Sequence, residues 1–221
     1  MRQPKIYKLD VSTTPTPTST SPTPTSPEPT TTPTPTTTST TFSPEACLAL
    51  NNAVDTLKKP KPGGGAGAKN HTGVMPTINI AYGKLNESKF LATKISKGTS
   101  TISARNSQID KALTGINNTL DEIKNAKNSY TSVQSTYCAT APAPSFCTII
   151  DSTLTTLSDA KSNLNSVSTK LNNVKGLKGA GKNGDYGGTI LNTQLGVLNA
   201  QANSIKTALL NLEAAISKGC K

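Results

Sequence analysis

Four cysteines, Cys47, Cys138, Cys147 and Cys220, are the residues of this chain best suited to covalent chemistry. Their number is even, and they follow a hydroxyl-rich N-terminal segment, so the chemistry they imply is oxidation to two disulfides in an oxidising compartment. Cys138 and Cys147 enclose eight residues, Ala-Thr-Ala-Pro-Ala-Pro-Ser-Phe, a span that one bond closes without strain. That pairing is preferred. It leaves Cys47 with Cys220, whose long loop would stabilise by about 4–5 kcal/mol on the chain-entropy model. The other arrangement, Cys47–Cys138 with Cys147–Cys220, stays open at the level of sequence.

Hydroxyl groups are the second chemical feature. Residues 11–41 hold 16 Thr, 8 Pro and 5 Ser, with one Glu and one Val. Thr and Ser interleaved with Pro is the composition of O-glycosylated, mucin-like stalks. The candidate acceptors are Thr13, Thr14, Thr16, Thr18, Thr20, Thr23, Thr25, Thr30, Thr31, Thr32, Thr34, Thr36, Thr37, Thr38, Thr40 and Thr41. Candidate N-glycosylation sites are Asn70, Asn86 and Asn117, each followed two residues later by Thr or Ser. The segment has almost no apolar surface with which to offset ordering entropy. Proline fixes φ and removes N–H donors, so residues 13–41 read as an extended or disordered stalk. At about 3.1 Å per residue it would reach about 90 Å.

Catalytic patterns are weak. Gly176-Leu-Lys-Gly-Ala-Gly181-Lys182-Asn183 approaches a phosphate-binding loop, but Asn183 stands where a magnesium-binding hydroxyl is required, and the segment follows a helical pattern instead of a strand. A flexible interhelical connector is the favoured reading, as it is for the similar wording at Gly65-Ala-Gly-Ala-Lys69-Asn70. His71 is the sole histidine and supports neither a zinc site nor a nucleophile–base pair. Asp121 and Glu122 are adjacent and do not form a facing carboxylate pair. The chain has no Trp. We therefore expect no enzyme activity, no cofactor and no metal.

The net charge is +11. Residues 1–43 carry three cations and two acids; residues 44–221 carry 20 Lys or Arg against 10 Asp or Glu. The basic excess thus belongs to the C-terminal part. It suits acidic glycans or an anionic surface. Arginine is nearly absent and only Lys58, Lys59 and Lys61 cluster, which argues against nucleic acid.

The elements that must position these groups follow from hydrophobic period. Composition divides the chain into a stalk over 1–43 and a bundle over 44–221. Ser43-Pro44-Glu45 combines a capping hydroxyl, Pro at the first helical position and an acid in the first turn. A first helix runs from there to about Lys59, stopped by Pro60 and Pro62. A Gly-rich loop over 63–76 follows. A second helix carries Ile78, Ile80, Ala81, Leu85, Phe90, Leu91 and Ile95 as its apolar residues. The third, from Thr99 to Tyr137, repeats Ile102, Ile109, Ile116, Ile123, Tyr130 and Tyr137 every seven residues, with Leu113 and Leu120 as the second row and Asn106, Lys127 and Gln134 as polar breaks. It would be about 58 Å long. The fourth carries Ile150, Leu157, Leu164 and Leu171 beside Ala160, Val167 and Val174, and Gly176 ends it. A loop over 176–188 leads to the fifth, with Leu191, Leu198, Ile205 and Leu212 beside Leu195, Ala202, Leu209 and Ile216. The expected fold is all-α: an antiparallel bundle of three long coiled-coil-like helices plus two shorter N-terminal ones, behind the stalk. The third helix outruns its partners near Ile102, and either the second helix or another chain must cover the surplus.

The run Cys138-Ala-Thr-Ala-Pro-Ala-Pro-Ser-Phe-Cys147, with Ile149 and Ile150 after it, resembles the helical-hairpin clip of plant pectin methylesterase and invertase inhibitors. The resemblance covers about a dozen residues and implies a disulfide-bonded bundle that binds other secreted proteins. In that family the clip lies near the N-terminus; here it lies mid-chain.

The expectation is a secreted or surface-displayed structural or adhesive glycoprotein, packing against itself or an extracellular matrix. The alternative is an extracellular binding module, inhibitor-like or holding a hydrophobic ligand. No run of about twenty apolar residues is present for a membrane span. Residues 1–10 show no apolar core of a signal peptide, which is the main argument against an extracellular location.

Overall fold

The computed structural model describes residues 41–58, 73–139, 141–181 and 184–221. Five helices occur among them: α1 (Pro44–Lys58), α2 (Val74–Ser96), α3 (Ile102–Tyr137), α4 (Phe146–Lys175) and α5 (Gly188–Gly219). No strand is present among the described residues.

The helix starts follow local chemistry. The Ser43 hydroxyl accepts a hydrogen bond from the Ala46 amide at 3.2 Å, as expected of the α1 cap. The Thr101 hydroxyl does the same for Ala104 at 3.2 Å, so α3 begins at Ile102 and not at Thr99. Thr99 belongs to the preceding turn, where Gly98 adopts φ 72° and its amide reaches the Ile95 carbonyl at 2.9 Å. The α2 helix begins two residues earlier than the Gly-rich loop was expected to end. Pro76 lies in its first turn, where the missing N–H would have had no helical partner in any case. Residues 63–72 of that loop, with Asn70 and His71, lie outside the described residues.

The helices form four columns. The α1 and α2 helices both pack on α3 and α5, and on each other, while the backbone of neither comes close to that of α4. Cys47 of α1 bonds Cys220 after the end of α5, and Lys58 pairs with Glu213. Farther along, Ala81 of α2 lies against Gly115 of α3, and Ala92 lies against Gly188 at the start of α5. The two short helices therefore run in succession down one column, antiparallel to α3 and α5. The α4 helix stands diagonally across, packed on α3 and α5. This split column packs along α3, whose buried residues begin at Arg105, while Ile102 itself is half-buried.

The connections alternate in level. The column of α1 and α2 joins α3 at one end, α3 joins α4 at the other, and α4 joins α5 at the first again. The Cys47–Cys220 bond joins α5 back to α1 at the remaining end. Every neighbouring pair of columns is thereby linked covalently.

The core rows of α4 and α5 are those the heptads predict. Ile150, Leu157, Leu164, Leu171, Ala160, Val167 and Val174 are buried, as are Leu191, Leu198, Ile205, Leu212, Leu195 and Leu209; Ala202 and Ile216 are half-buried. The α3 helix differs. Leu113 and Leu120 are only half-buried, and the second buried row is Arg105, Ala112, Thr119, Ala126 and Val133. Small residues there let the split column approach closely. In α2, Ile80 and Phe90 are not core: they are 53% and 60% exposed. The buried face of α2 is Val74, Ile78, Ala81, Leu85, Ala92 and Ile95, with Thr77 and Ser88 among them. Phe90 instead carries the Lys94 ammonium 4.7 Å from its ring centre.

The same substitution at three helical glycines should have opposite signs. A Cβ at Gly115 would lie 3.0 Å from the Ala81 backbone, so Gly115→Ala forces α2 off α3 and costs about 1–3 kcal/mol. Gly83 and Gly196 face open space, so alanine there stabilises by roughly 0.5–1 kcal/mol each. Urea denaturation of the three single variants measures both.

Candidate functional site

All four cysteines gather at one end of the bundle, as two bonds, Cys47–Cys220 and Cys138–Cys147, with Cα separations of 5.7 Å and 5.8 Å. No free cysteine remains. This is the preferred pairing of the two that the sequence leaves open. Phe42, on the stalk side of the compositional boundary, packs into this end. Its amide donates to the Gly219 carbonyl at 2.7 Å, and its ring meets Phe146 edge-on at 4.8 Å. A Cβ at Gly219 would fall inside the Phe42 ring, which is why α5 ends on glycine.

The opposite end is held by Arg105, the one arginine beyond Arg2, whose side chain is fully buried. Its Nη1 donates to the Tyr186 carbonyl at 2.7 Å, and its Nη2 to the carbonyls of Val174 at 2.9 Å and Leu177 at 3.3 Å. Nε and Nη2 also donate to Asn106 Oδ1, at 3.1 Å and 2.8 Å. The Asn106 amide nitrogen in turn donates to the Lys175 carbonyl at 3.2 Å. One guanidinium thus caps the last carbonyls of α4 and pins the connection to α5. Burial lowers the Arg105 pKa, and the group stays charged. The stretch expected as a free connector is therefore fastened at Leu177 and Tyr186, while Lys182 and Asn183 lie outside the described residues.

Asp185 secures the start of α5. Its carboxylate accepts from the amides of Gly187 at 3.0 Å and Thr189 at 2.7 Å. The Thr189 hydroxyl is the largest influence and lowers its pKa from the ordinary value; burial opposes it, and the backbone amides add to the lowering. A depressed carboxylate contributes stability that is complete above the ordinary aspartate value of about 4 and is lost as pH falls through the lower folded value. Asp185→Ala should cost about 1 kcal/mol at neutral pH. It should also abolish the acid-dependent shift of the Thr189 amide resonance, which an NMR titration reads directly.

The two flanks of α4 are built differently. Toward α3, Lys127 Nζ donates to the Ser158 hydroxyl at 2.7 Å, Gln134 to Asp151, and Lys175 pairs with Asp110. The three polar breaks of the α3 heptads, Asn106, Lys127 and Gln134, all spend their side chains on α4. Toward α5, Thr156, Asp159, Ser162 and Asn163 face Gln201 and Ser204 across a groove of about 310 Å³.

The other residues singled out by sequence are dispersed. Thr41 is exposed; Thr13, Thr14, Thr16, Thr18, Thr20, Thr23, Thr25, Thr30, Thr31, Thr32, Thr34, Thr36, Thr37, Thr38 and Thr40 lie outside the described residues. Asn86 and Asn117 are exposed on α2 and α3, but the hydroxyls of their sequons are turned inward: Ser88 donates to the Lys84 carbonyl at 2.9 Å and Thr119 to the Gly115 carbonyl at 2.8 Å. Asp121 is exposed and Glu122 buried, so the two occupy different faces of α3. Tyr130 is fully buried, its hydroxyl has no hydrogen-bond partner among the described residues, and burial raises its pKa far above the ordinary phenol value. It is a core residue, as its heptad position indicates.

Among the described residues no group of three His, Cys, Asp or Glu side chains could hold a metal ion, and no helix is long and apolar enough to cross a membrane. No family model matches the chain, and neither does any curated protein or solved structure.

Proposed function

We propose that this chain is a secreted or surface-displayed structural or adhesive glycoprotein without catalytic activity, its bundle packed against an extracellular matrix and its Thr/Pro-rich segment serving as a hydrated spacer. The observation that carries this reading is the pairing of every cysteine into two bonds at one end of the bundle, behind a segment of dense O-glycan acceptors. Such pairing suits an oxidising compartment. The basic surplus of the bundle suits an anionic matrix component such as an acidic glycan.

Mass spectrometry of the native chain, digested without reduction, tests the proposal. Expected are the two cross-linked peptides and sugar-sized mass increments on the peptide spanning 11–41. An unmodified peptide together with free thiols would sink the reading.

A further inference from the structure

The polar residues between α3 and α4 find partners across the seam; those between α4 and α5 do not. Of the six side chains lining the α4–α5 groove, only the Thr156 hydroxyl is engaged, with the Ser152 carbonyl at 2.9 Å. Asp159, Ser162, Asn163, Gln201 and Ser204 make no side-chain hydrogen bond among the described residues, although they converge on one space. The groove volume falls near the lower end of the range for small-ligand sites, about 300–1,000 Å³.

The chemistry of the lining selects the ligand. Two carboxamides each offer a donor pair and an acceptor, the hydroxyls offer both, and the Asp159 carboxylate accepts from two hydroxyls at once. That set matches a molecule presenting many neutral hydroxyl groups. Its one formal charge is negative, so an anionic sugar is repelled. One carboxylate is also too few for a calcium ion, which draws on several charged oxygens. No aromatic side chain lines the groove, so there is no stacking platform and affinity for a single unit is weak.

We propose that the α4–α5 groove binds neutral saccharide units of the matrix, with Asp159 and Gln201 as the principal contacts. This rests on the extracellular reading above and names a ligand class for it, separate from the acidic partners drawn to the basic surface at large.

The test is an NMR titration of the full oxidised chain, labelled with ¹⁵N, using mannotriose, cellotriose and chitotriose, with a hyaluronan tetrasaccharide as the acidic counterpart. Expected are saturable shifts of the Asn163 and Gln201 side-chain amides with at least one neutral trisaccharide. In Asp159→Ala and Gln201→Ala affinity should fall about tenfold, for loss of one charge-assisted or bidentate contact, with the melting temperature unchanged. Hyaluronan should leave these amides unmoved. The proposal is overturned if no neutral probe shifts them, if both variants bind as well as the parent, or if hyaluronan is preferred. Such a failure leaves the extracellular reading intact, since that reading stands or falls on the sugars and disulfides of the native chain.

Discussion

Replacing Cys47 and Cys220 together by serine lowers stability by about 5 kcal/mol on the chain-entropy model, whereas replacing Cys138 and Cys147 lowers it by about 3 kcal/mol. The difference comes from loop length: the first bond closes a separation of 173 residues and the second only 9. At about 2–4 °C per kcal/mol for a domain of this size, the melting temperature should drop by roughly 10–20 °C in the first variant and by clearly less in the second. Loss of the first bond also frees α1. That helix buries Ala46, Leu50, Ala53, Val54 and Leu57, and no short chain connection holds it in place once the bond is gone. Differential scanning calorimetry of the two double variants decides the matter. Equal losses would mean that the long loop is already restricted in the unfolded chain.

Substitution of Arg105 by methionine should cost about 3 kcal/mol, because it strips buried carbonyls of their donor and leaves them unpaired. Lysine should rescue little. A single ammonium cannot reach Tyr186, Val174 and Leu177 together in the way a planar fork does. The damage should be local. Amide hydrogen exchange should quicken at the end of α4 and through the connection to Tyr186, with the disulfide end protected as before. Uniform loss of protection over the whole bundle would show that Arg105 supports the core at large.

The large aliphatic residues made much of this fold legible. Four heptads of Leu, Ile and Val define the buried rows of α4 and α5, and Ser43-Pro44-Glu45 marks the start of α1. The α3 helix was half legible. Its Ile and Tyr row stands out, while Ala112, Thr119 and Ala126 carry too little apolar surface to be told from neutral exposed positions, and Leu113 and Leu120 drew attention from them. Burial at those small residues depends on how closely the split column approaches, which is a tertiary property. In α2, size misled: Ile80 and Phe90 are large and apolar yet lie away from Ala81, Leu85 and Ala92.

Arg105 left a signal that could be read. It falls on the same heptad row as Ala112 and Thr119, and a charged residue on a core row requires a buried set of acceptors. Asp185 left a fainter one, as an acid just ahead of a helix. The α4–α5 groove left none. Asp159, Asn163 and Gln201 are ordinary surface types, and only their failure to pair across the seam distinguishes them from Asp151 and Lys127 on the other flank.

The bond between Cys47 and Cys220 has a mechanical consequence. A pull applied to the chain ahead of Cys47 and to the chain beyond Cys220 first draws on Phe42 and the opening turn of α1 and then converges on that one bond, leaving the rest of the bundle outside the line of force. Beyond those few residues the bundle would feel no tension until the sulfurs part. Stretching a single oxidised molecule from these two positions should give only the short extension of residues 42–46, and adding a reductant should release the rest.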